Sequence, residues 1–363
     1  MRARWVEARD FRNHEELFAE IPAGLTAVVG PNGRGKTNFL EAVYYLCALA
    51  SPRVSSDLPL VRVGASSAYL RGEIESLSGR TLVEIEIRAS GQNRVQVNRS
   101  AVRRKRDLRQ HVRAVFAGPD DLHVVLGDPG ERRRFMDEAV AALWPVKDTV
   151  AGHYERALRQ RNRLLKDWGG PGEPPGLTAW DDELVRHGTV LTEARAAAVG
   201  AISDRAAEEF RRLSAGGNEA LIVEYRPSVE AQGTDLPQSF RRKLEDRRGD
   251  ELVRRTTLVG PHRDDLSLRV EGLMARGFAS HGEAWGAAVS LRLALAGALA
   301  EEIREEAILL LDDPFSALDP DRRLRLAEGL ESRGQLLLAV PDEAQVPPGA
   351  VVWYLKEGGL VPR

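Results

Sequence analysis

Hydrophobic and polar positions change their spacing along the chain, and the changes mark two kinds of structure. From residue 5 to about residue 117 the pattern favours strands. Val83, Ile85 and Ile87 alternate with charged residues, as expected for a half-exposed and antiparallel strand. Val95 and Val97 indicate a further short strand that enters a turn.

Helical spacing replaces this pattern after residue 119. Apolar residues recur every three or four positions over residues 135–143, 154–165 and 184–202. Pro145 should end the first of these helices. A loop rich in glycine and proline, residues 169–176, separates the other two, so they are predicted to form a helical hairpin. Thr178 and Asp181, three residues apart, resemble a capping box that opens the longer helix.

Strand character returns in the second half of the chain. The predicted strands cover residues 221–225, 266–270, 307–311, 336–340 and 351–355. Two of them, around Ile308–Leu311 and Leu336–Leu338, are apolar on both faces, which is typical of buried parallel strands in an α/β sheet. The pattern therefore predicts one sheet domain, residues 1–118 and 251–363, split by a helical insert over residues 119–250.

Composition limits the possible classes of protein. The chain has 363 residues, of which 43% are hydrophobic and 29% are charged, a profile typical of a globular protein with a large core. No apolar run approaches the roughly 20 residues that a membrane span requires. Glu7, Arg9 and Asp10 interrupt any apolar leader, so we expect a cytoplasmic protein. The single cysteine, Cys47, lies in an apolar stretch and is expected to pack in the core.

The strongest chemical signal is a phosphate-binding loop near the start of the chain. It follows the apolar run Leu25 to Val29 and has the residues Gly30, Pro31, Asn32, Gly33, Arg34, Gly35, Lys36 and Thr37. In this pattern, glycines let backbone N–H groups point at phosphates, the lysine reaches the terminal phosphates, and the threonine hydroxyl ligates Mg²⁺. We therefore expect ATP and Mg²⁺ at this loop.

An acidic segment far along the chain completes the site that begins with the phosphate-binding loop. The apolar strand Ile308–Leu311 ends in Asp312 and Asp313. Mg²⁺ at a phosphate loop needs an acidic partner, and an attacking water needs an orienting group. We assign Asp312 to the metal and Asp313, with Lys36, to catalysis.

Net charge is −2, yet the basic residues are clustered. One run contains Arg99, Arg103, Arg104, Lys105, Arg106, Arg109 and Arg113, and the other contains Arg156, Arg159, Arg161, Arg163 and Lys166. Such clusters are either solvated helix faces or docking surfaces for phosphates. Residues 103–106 and Arg109 are our candidates for contacting DNA.

Several motifs resemble known ATPases. Ser316 and Asp319, shortly after Asp313, are similar to the D-loop of the ABC-type ATPase superfamily, and the segment with Ser280, Gly282 and Glu283 resembles its signature motif. Five further segments narrow the resemblance to the RecF family of bacterial recombination-repair ATPases. They are residues 10–14, 32–38, 116–122, 127–137 and 260–266.

This resemblance implies an α/β fold: an ABC-type P-loop ATPase head with mixed sheets, interrupted by an inserted α-helical arm domain. It implies that Lys36, Thr37 and Asp312 of one subunit hold ATP and Mg²⁺ while Ser280 and Gly282 of a second subunit cap the γ-phosphate. Three further residues are expected near the phosphates, namely Arg12, Asn13 and Asn38.

The same resemblance implies a function. An ATP-dependent homodimer would bind double-stranded or gapped DNA, be released by slow, DNA-stimulated ATP hydrolysis, interact with RecR and RecO, and help to load RecA. Asp313 stands where most ABC ATPases carry glutamate, which favours slow turnover.

Other classes remain open at this stage. A chromosome-organising ATPase like the SMC proteins or RecN shares the split head, but the insert of about 130 residues is too short for long coiled-coil arms. A transporter ATPase would have its acidic strand closer to the phosphate loop, and an ATPase partner of a nuclease is a third alternative. His262, Arg263 and Asp264 mimic a kinase catalytic loop, but no other kinase motif accompanies them, so a structural turn is expected there.

Overall fold

The computed structural model describes residues 1–214, 219–231, 233, 235–356 and 358–362. Within these ranges the strands are β1 (Arg2–Phe11), β2 (His14–Glu20), β3 (Leu25–Val29), β4 (Ser67–Ser76), β5 (Gly79–Arg88), β6 (Arg94–Val97), β7 (Ser100–Ala101), β8 (Ala114–Ala117), β9 (Leu221–Arg226), β10 (Asp265–Val270), β11 (Leu273–Met274), β12 (Ile308–Asp312), β13 (Leu336–Val340), β14 (Val351–Lys356) and β15 (Gly358–Pro362). The helices are α1 (Lys36–Ala48), α2 (Lys105–Arg109), α3 (Leu122–Leu126), α4 (Pro129–Leu143), α5 (Val150–Asp167), α6 (Leu177–Leu213), α7 (Leu236–Arg254), the kinked turn α8 (Ala275–Phe278), α9 (His281–Ile303) and α10 (Pro320–Glu331).

Among the described residues, 12 strands form one mixed sheet in the order β7-β6-β5-β4-β1-β2-β15-β14-β3-β13-β12-β8. The strands from β7 to β2 pair antiparallel, whereas β14, β3, β13, β12 and β8 pair parallel. The α/β fold with a mixed sheet is therefore confirmed. The carboxyl ends of β3, β12 and β13 meet at one edge, where ligands bind in sheets of this kind.

The parallel strands are buried on both faces, as their composition predicted. Leu309 and Leu311 of β12 belong to the core cluster that contains α4, α6 and α9, while Ile308 and Leu310 belong to the cluster that contains α1. Cys47 is buried in the second cluster. Helix α1 therefore lies on one side of the sheet and the long helices lie on the other.

The helical region forms the predicted hairpin of α5 and α6, which contact each other. The first half of α6 packs against α5 and α7, and its second half lies along α9. The prediction of a Thr178 capping box is wrong: α6 begins at Leu177 after Gly176, whose φ is 83°, and no side chain caps it. Asp181 instead accepts a hydrogen bond from the buried Arg161, at 2.7 Å, because that guanidinium requires a counter-charge.

Strands β9, β10 and β11 form a separate three-stranded sheet. Strand β9 lies inside the predicted insert and pairs with β10, which lies after it, and α7 continues past residue 250 to Arg254. The division at residues 118 and 250 stays a prediction. No helix within the described ranges is both long and apolar enough to cross a membrane.

Candidate active site

The phosphate-binding loop connects β3 to α1. Strand β3 is almost entirely buried, and α1 begins at Lys36 with Gly35 as its first flanking residue. Gly33 and Gly35 have φ angles of 82° and 106°, which side chains rarely adopt. A Cβ on Gly35 would lie 2.7 Å from the Cε1 atom of His14, so the loop packs too closely for any other residue. The first N–H groups of α1 lack helical partners and are suited to an anion.

The Lys36 ammonium group lies over this loop. It donates hydrogen bonds to the carbonyl oxygens of Gly30 and Pro31 and, at 3.4 Å, to Oδ1 of Asn32. Burial lowers the pKa of Lys36, and the negative charges of Asp312 and Asp313 oppose that change. A phosphate would therefore offer this ammonium a stronger partner than the neutral carbonyls.

Thr37 and Asp312 meet although 275 positions separate them. The Thr37 hydroxyl lies 2.9 Å from Oδ1 and 2.8 Å from Oδ2 of Asp312, which ends β12. Burial raises the pKa of Asp312, and the hydrogen bond from Thr37 opposes the rise. A hydroxyl and a carboxylate are oxygen ligands of the kind Mg²⁺ prefers, so this pair fits the predicted metal site.

Asp313 has a strained backbone and an unused carboxylate oxygen. Its φ is 50°, and its backbone N–H donates to the Ala339 carbonyl at 2.9 Å. Its buried Oδ1 atom has no hydrogen-bond partner among the described residues. Burial raises its pKa, while the positive charge of Lys36 lowers it. A strained residue with a free acceptor at a strand end is typical of a functional site.

Arg12, Asn13 and Asn38 border the loop. The Arg12 guanidinium donates to both carboxylate oxygens of the buried Glu41, at 2.7 Å each. Asn13 donates to the Arg34 carbonyl at 3.4 Å and accepts from Asn38 at 2.6 Å. The structure therefore places all three beside the loop, with the Arg12 charge already paired.

Sequence reasoning missed several residues around the Thr37–Asp312 pair. A cavity of about 240 Å³ is lined by these two residues together with Arg53, Phe116 and residues 118–121. Arg53 donates to Oδ1 of Asn38 at 2.9 Å. The only signal for this wall was the similarity of residues 116–122 to the RecF family, which assigned no role to them.

The signature and D-loop segments pack together within one chain. The Ser280 hydroxyl accepts from the Glu283 N–H at 3.3 Å, and the Glu283 carboxylate accepts from the Ser280 N–H at 2.7 Å, which forms a capping box at the start of α9. A Cβ on Gly282 would lie 3.4 Å from the Ala317 carbonyl oxygen. Among the described residues, no hydrogen bond joins Ser280 or Glu283 to residues 30–37 of the same chain.

The D-loop follows the acidic strand end directly. The Ser316 hydroxyl donates to the Asp313 carbonyl at 3.2 Å. The Asp319 carboxylate accepts from the Arg322 N–H at 2.9 Å and caps α10. This segment therefore links the acidic strand end to the exposed start of α10.

Arg292 joins the signature helix to the wall of the cavity. Its Nε and Nη2 atoms donate to Oδ1 of Asp121 at 2.9 and 2.6 Å, and its Nη1 donates to Glu138 at 2.8 Å. The other oxygen of Asp121 accepts from the Gly118 N–H at 3.0 Å. Tyr44 of α1 donates to the same Glu138 oxygen at 3.1 Å. Helices α1, α4 and α9 are thus connected through one buried cation.

The candidate DNA residues differ in exposure. Arg103, Arg104 and Lys105 are exposed, and Arg106 lies 3.7 Å from Asp107. Arg109 uses its guanidinium to donate twice to the Ala48 carbonyl, at 2.9 and 3.1 Å.

In the second basic run, Arg161 lies neither on a solvated helix face nor on a surface that could dock a phosphate. This side chain is fully buried and donates to Asp181, Thr257 and Glu251 at 2.6 to 2.7 Å. Two carboxylates surround the guanidinium because a buried cation without a counter-charge is costly. Spacing along α5 gave no sign of this burial.

His262 and Asp264 lie in a structural turn, as expected. Asp264 is fully buried and accepts hydrogen bonds from Arg195, Tyr225 and the Ser228 N–H. The Tyr154 hydroxyl lies 2.6 Å from Nδ1 of His262, whose other nitrogen lies 3.1 Å from the Thr257 carbonyl oxygen. This turn joins the helical region to the small sheet.

The mixed sheet brings a phosphate loop and an acidic strand end together although they are far apart in the sequence, and a signature-like helix accompanies them. These features define a P-loop ATPase head of the ABC and SMC type. A family model described as "RecF/RecN/SMC N terminal domain" matches residues 4–345. The DNA replication and repair protein RecF of Streptomyces avermitilis is 42% identical over 348 residues, covering 93% of each chain. The chain belongs to the RecF family.

Other comparisons agree with this assignment. The protein of the same name from Frankia alni is 42% identical over 352 residues, again covering 93% of each chain. Among solved structures, the recombination mediator protein RecF with ATPrS has a TM-score of 0.89 at 24% identity, covering 99% of this chain and 98% of that one. An Smc head bound to the C-winged helix domain of ScpA has a TM-score of 0.58 at 14% identity, covering 100% and 98%. These two structures support the fold.

Proposed function

We propose that this protein is an ATP-dependent DNA-binding ATPase of recombinational repair. ATP brings two copies together, the closed dimer binds double-stranded DNA, and slow hydrolysis releases it. The observation that supports this most directly is the contact between Thr37 and Asp312, because it joins the two halves of a nucleotide site from opposite ends of the chain.

ATP binding begins with the phosphate loop. The N–H groups of Gly33, Gly35 and the start of α1 bind the phosphate oxygens, and the Lys36 ammonium moves from its carbonyl partners to the terminal phosphates. Thr37 and Asp312 hold Mg²⁺, which neutralises phosphate charge when it is bound. Neighbouring Asn32 and Arg34 shape the rest of the loop, and Arg12, Asn13 and Asn38 support it from the side.

Asp313 orients the attacking water. Its unpartnered Oδ1 atom is free to accept a hydrogen bond from that water. An aspartate reaches less far than a glutamate, so we expect slow turnover. DNA-stimulated hydrolysis follows if DNA favours the closed dimer.

The second copy completes the site. Ser280, Gly282 and Glu283 begin α9, and N–H groups at a helix N-terminus favour a phosphate. The Ser280 hydroxyl only accepts in its capping box, so its own proton can still be donated to the γ-phosphate on the other copy. In the D-loop, Ser316 donates to the Asp313 carbonyl and Asp319 caps α10, and we assign to this segment the role of transmitting closure to Asp313.

DNA contact is assigned to the exposed residues Arg103, Arg104 and Lys105, with Arg106 and Arg109 beside them. Contacts to phosphates neutralise charge without reading sequence. The relatives are named DNA replication and repair proteins, and the RecF–ATPrS structure is described as part of the RecFOR pathway. We therefore propose RecR and RecO as partners and gapped DNA as the substrate. RecA is the proposed downstream protein, and the cytoplasm is the proposed location.

An SMC-like chromosome organiser is a weaker candidate. Such a machine needs a long coiled coil, whereas the longest helix among the described residues, α6, has 37 residues and packs on the head itself. At 1.5 Å per residue it extends only about 55 Å.

The proposal is tested by Lys36→Met. Methionine keeps most of the length of the side chain but removes the ammonium, so ATP binding and ATP-dependent dimerisation should both disappear. Analytical ultracentrifugation with ATP measures the dimer, and a thermal melt checks that the variant is folded. Unchanged dimerisation of folded Lys36→Met would refute the proposed site.

A further inference from the structure

A cavity of about 410 Å³ lies between α5 and α6, the two helices of the hairpin, and we call it the hairpin cavity. Its volume is within the usual range of small-ligand sites, about 300–1,000 Å³. It shares no lining residue with the cavity beside Thr37 and Asp312, so it is a separate site. Helix α5 contributes His153, Arg156, Arg159 and Gln160 to its wall, and α6 contributes Trp180 and His187.

Two arginines of the second basic run lie at the hairpin cavity. Arg161 of the same helix is buried between two carboxylates and belongs to the core. In contrast, Arg156 is exposed and forms no ion pair or side-chain hydrogen bond with another described residue. Arg159 approaches the carboxylate of Glu155 at 3.7 Å, and both of these side chains are largely exposed. The Arg156 guanidinium therefore keeps its donors for an anion.

A pair of imidazoles forms another part of the wall. The ring centres of His153 and His187 are 5.4 Å apart, and their planes are inclined by 43°. The carboxylate in the wall, that of Glu183, lies 3.3 Å from Nε2 of His187 but also accepts from Arg186. The described residues contain no group of three or more acidic, histidine or cysteine side chains that could hold a metal ion. The histidine pair is therefore suited to an anion and not to a metal.

A flat aromatic surface accompanies these cations. Trp180 lies near the start of α6, is half-buried and lines the cavity. Gln160 supplies an amide, which can donate to and accept from the edge of a base. Proteins that hold single-stranded nucleic acid combine aromatic side chains, on which bases stack, with cations that contact the backbone. The first basic run, residues 99–113, contains no Phe, Trp or Tyr.

We propose that the hairpin cavity binds one nucleotide of single-stranded DNA, with Trp180 stacked on its base and Arg156 and the histidine pair around its phosphate. An unpaired strand fits because its bases are free to stack on a protein side chain, whereas the bases of a duplex stack on one another. The first basic run lacks such a ring and suits duplex phosphates. The choice of DNA rests on the proposed function, but this site requires neither ATP nor a second copy.

The histidine pair makes the affinity depend on pH. Burial lowers the pKa of His187, Arg186 and His153 lower it further, and Glu183 opposes the change. A phosphate beside the ring favours the protonated imidazole, so affinity for the strand should rise as pH falls from about 8 to about 6. The charged and titratable groups at the cavity are His153, Glu155, Arg156 and Arg159 from α5, and Glu183, Arg186 and His187 from α6.

The first test measures binding of a labelled oligo(dT) strand, without ATP, by fluorescence anisotropy. Trp180→Ala should weaken binding by about fivefold to about a hundredfold, which corresponds to about 1–3 kcal/mol for one stacked base. Trp180→Phe keeps an aromatic ring and should stay within about fivefold of the wild type. Trp168→Ala is the matched control, because Trp168 is also half-buried on the hairpin but does not line the cavity. A thermal melt checks that each variant is folded.

The second test concerns the phosphate. Arg156→Gln should weaken oligo(dT) binding and make the slope of log affinity against log salt shallower by about 0.7 for the lost phosphate contact. Arg163→Gln is its control, because Arg163 lies on the same helix, is 78% exposed and does not line the cavity. His187→Gln should reduce the rise in affinity on acidification. An equal rise in His187→Gln and the wild type overturns the assignment of the histidine pair to the phosphate.

Two further ligands distinguish a single strand from other sources of phosphate. A blunt duplex, measured with ATP, should bind Trp180→Ala and the wild type equally, and the mononucleotide dTMP should compete poorly with oligo(dT). Equal weakening of duplex binding by Trp180→Ala, or binding of dTMP as tight as that of the strand, overturns the assignment to single-stranded DNA.

The outcomes also separate this inference from the proposed function. A wild type that does not bind oligo(dT), or a Trp180→Ala or Arg156→Gln variant that binds it as tightly as its control, overturns this inference alone. A wild type that stays monomeric in ATP overturns the proposed function, whereas weaker oligo(dT) binding by Trp180→Ala and Arg156→Gln, measured without ATP, still supports a single-strand site on the hairpin.

Discussion

Arg292→Met tests whether the buried cation holds the signature helix to the nucleotide site. Arg292 and Asp121 are almost completely buried, and Glu138 is the second acidic partner. Removing one member of a buried ion pair typically costs about 3–5 kcal/mol, because the other charge remains in a poorly hydrated place. Methionine fills most of the alkyl volume, so little of the cost should come from a cavity.

A double mutant isolates the charge. Asp121→Asn removes the orphaned carboxylate and keeps an oxygen that can accept the Gly118 N–H. The pair Arg292→Met with Asp121→Asn should therefore be about 1–3 kcal/mol more stable than Arg292→Met alone, within the range of coupling energies for contacting residues.

The effect should depend on pH. Burial raises the pKa of Asp121, and Arg292 opposes that rise. Without Arg292 the folded state disfavours the ionised form even more, so the destabilisation is largest above the raised folded-state pKa of Asp121 and diminishes as pH falls through it toward the unfolded-state pKa. Urea unfolding followed by circular dichroism at two values, about pH 8 and about pH 5, measures this. A destabilisation below about 1 kcal/mol at the higher pH, or no benefit from Asp121→Asn, would show that the ion pair does not hold the helix.

Three further predictions concern the site and the DNA surface. Asp313→Asn should keep ATP binding, slow hydrolysis and prolong the dimer; wild-type turnover in a steady-state phosphate assay would remove Asp313 from its assigned role. Because burial raises the pKa of Asp312, Mg²⁺-dependent ATP binding should weaken on acidification at a higher pH than for an ordinary aspartate, and Asp312→Asn should lack this pH dependence in calorimetry. Reversing Arg103, Arg104 and Arg106 to Glu should weaken duplex binding for every DNA sequence. The slope of log affinity against log salt should become shallower by about 0.9 for each DNA phosphate that the variant no longer neutralises. An unchanged binding curve in fluorescence anisotropy would place the DNA elsewhere on the protein.

The arrangement of the candidate nucleotide site, with Thr37 beside Asp312, was largely predictable because its signals are local. Glycine spacing before α1 specifies the phosphate loop, and strands such as Ile308–Asp312 that are apolar on both faces belong to a buried parallel sheet. The carboxyl ends of parallel strands lie at the same edge of the sheet, so Asp312 was expected beside Thr37 despite their separation in sequence.

The buried ion pairs were not predictable. Arg161 lies in a run of exposed arginines, and its acidic partners Asp181 and Glu251 are 20 and 90 residues away. Arg292 and Asp121 are 171 residues apart. Periodicity shows which face of a helix is apolar, but it does not show which single charge on that helix is buried by distant elements.

The capping-box error has the same origin. Asp181 has the spacing of a capping residue from Thr178, yet its carboxylate pairs with Arg161 and Arg248. A tertiary ion pair replaced a local interaction that the sequence favoured.

Closure of two ATP-bound copies of this chain on DNA is the step on which the proposed function depends. Sedimentation velocity of the wild type with ATP, with ADP and without nucleotide, each with and without duplex DNA, tests it most directly. We predict a dimer that co-sediments with DNA in ATP, and a monomer with weak DNA binding in the other two conditions. Equal sedimentation and equal DNA binding in all three nucleotide conditions would contradict the proposed function.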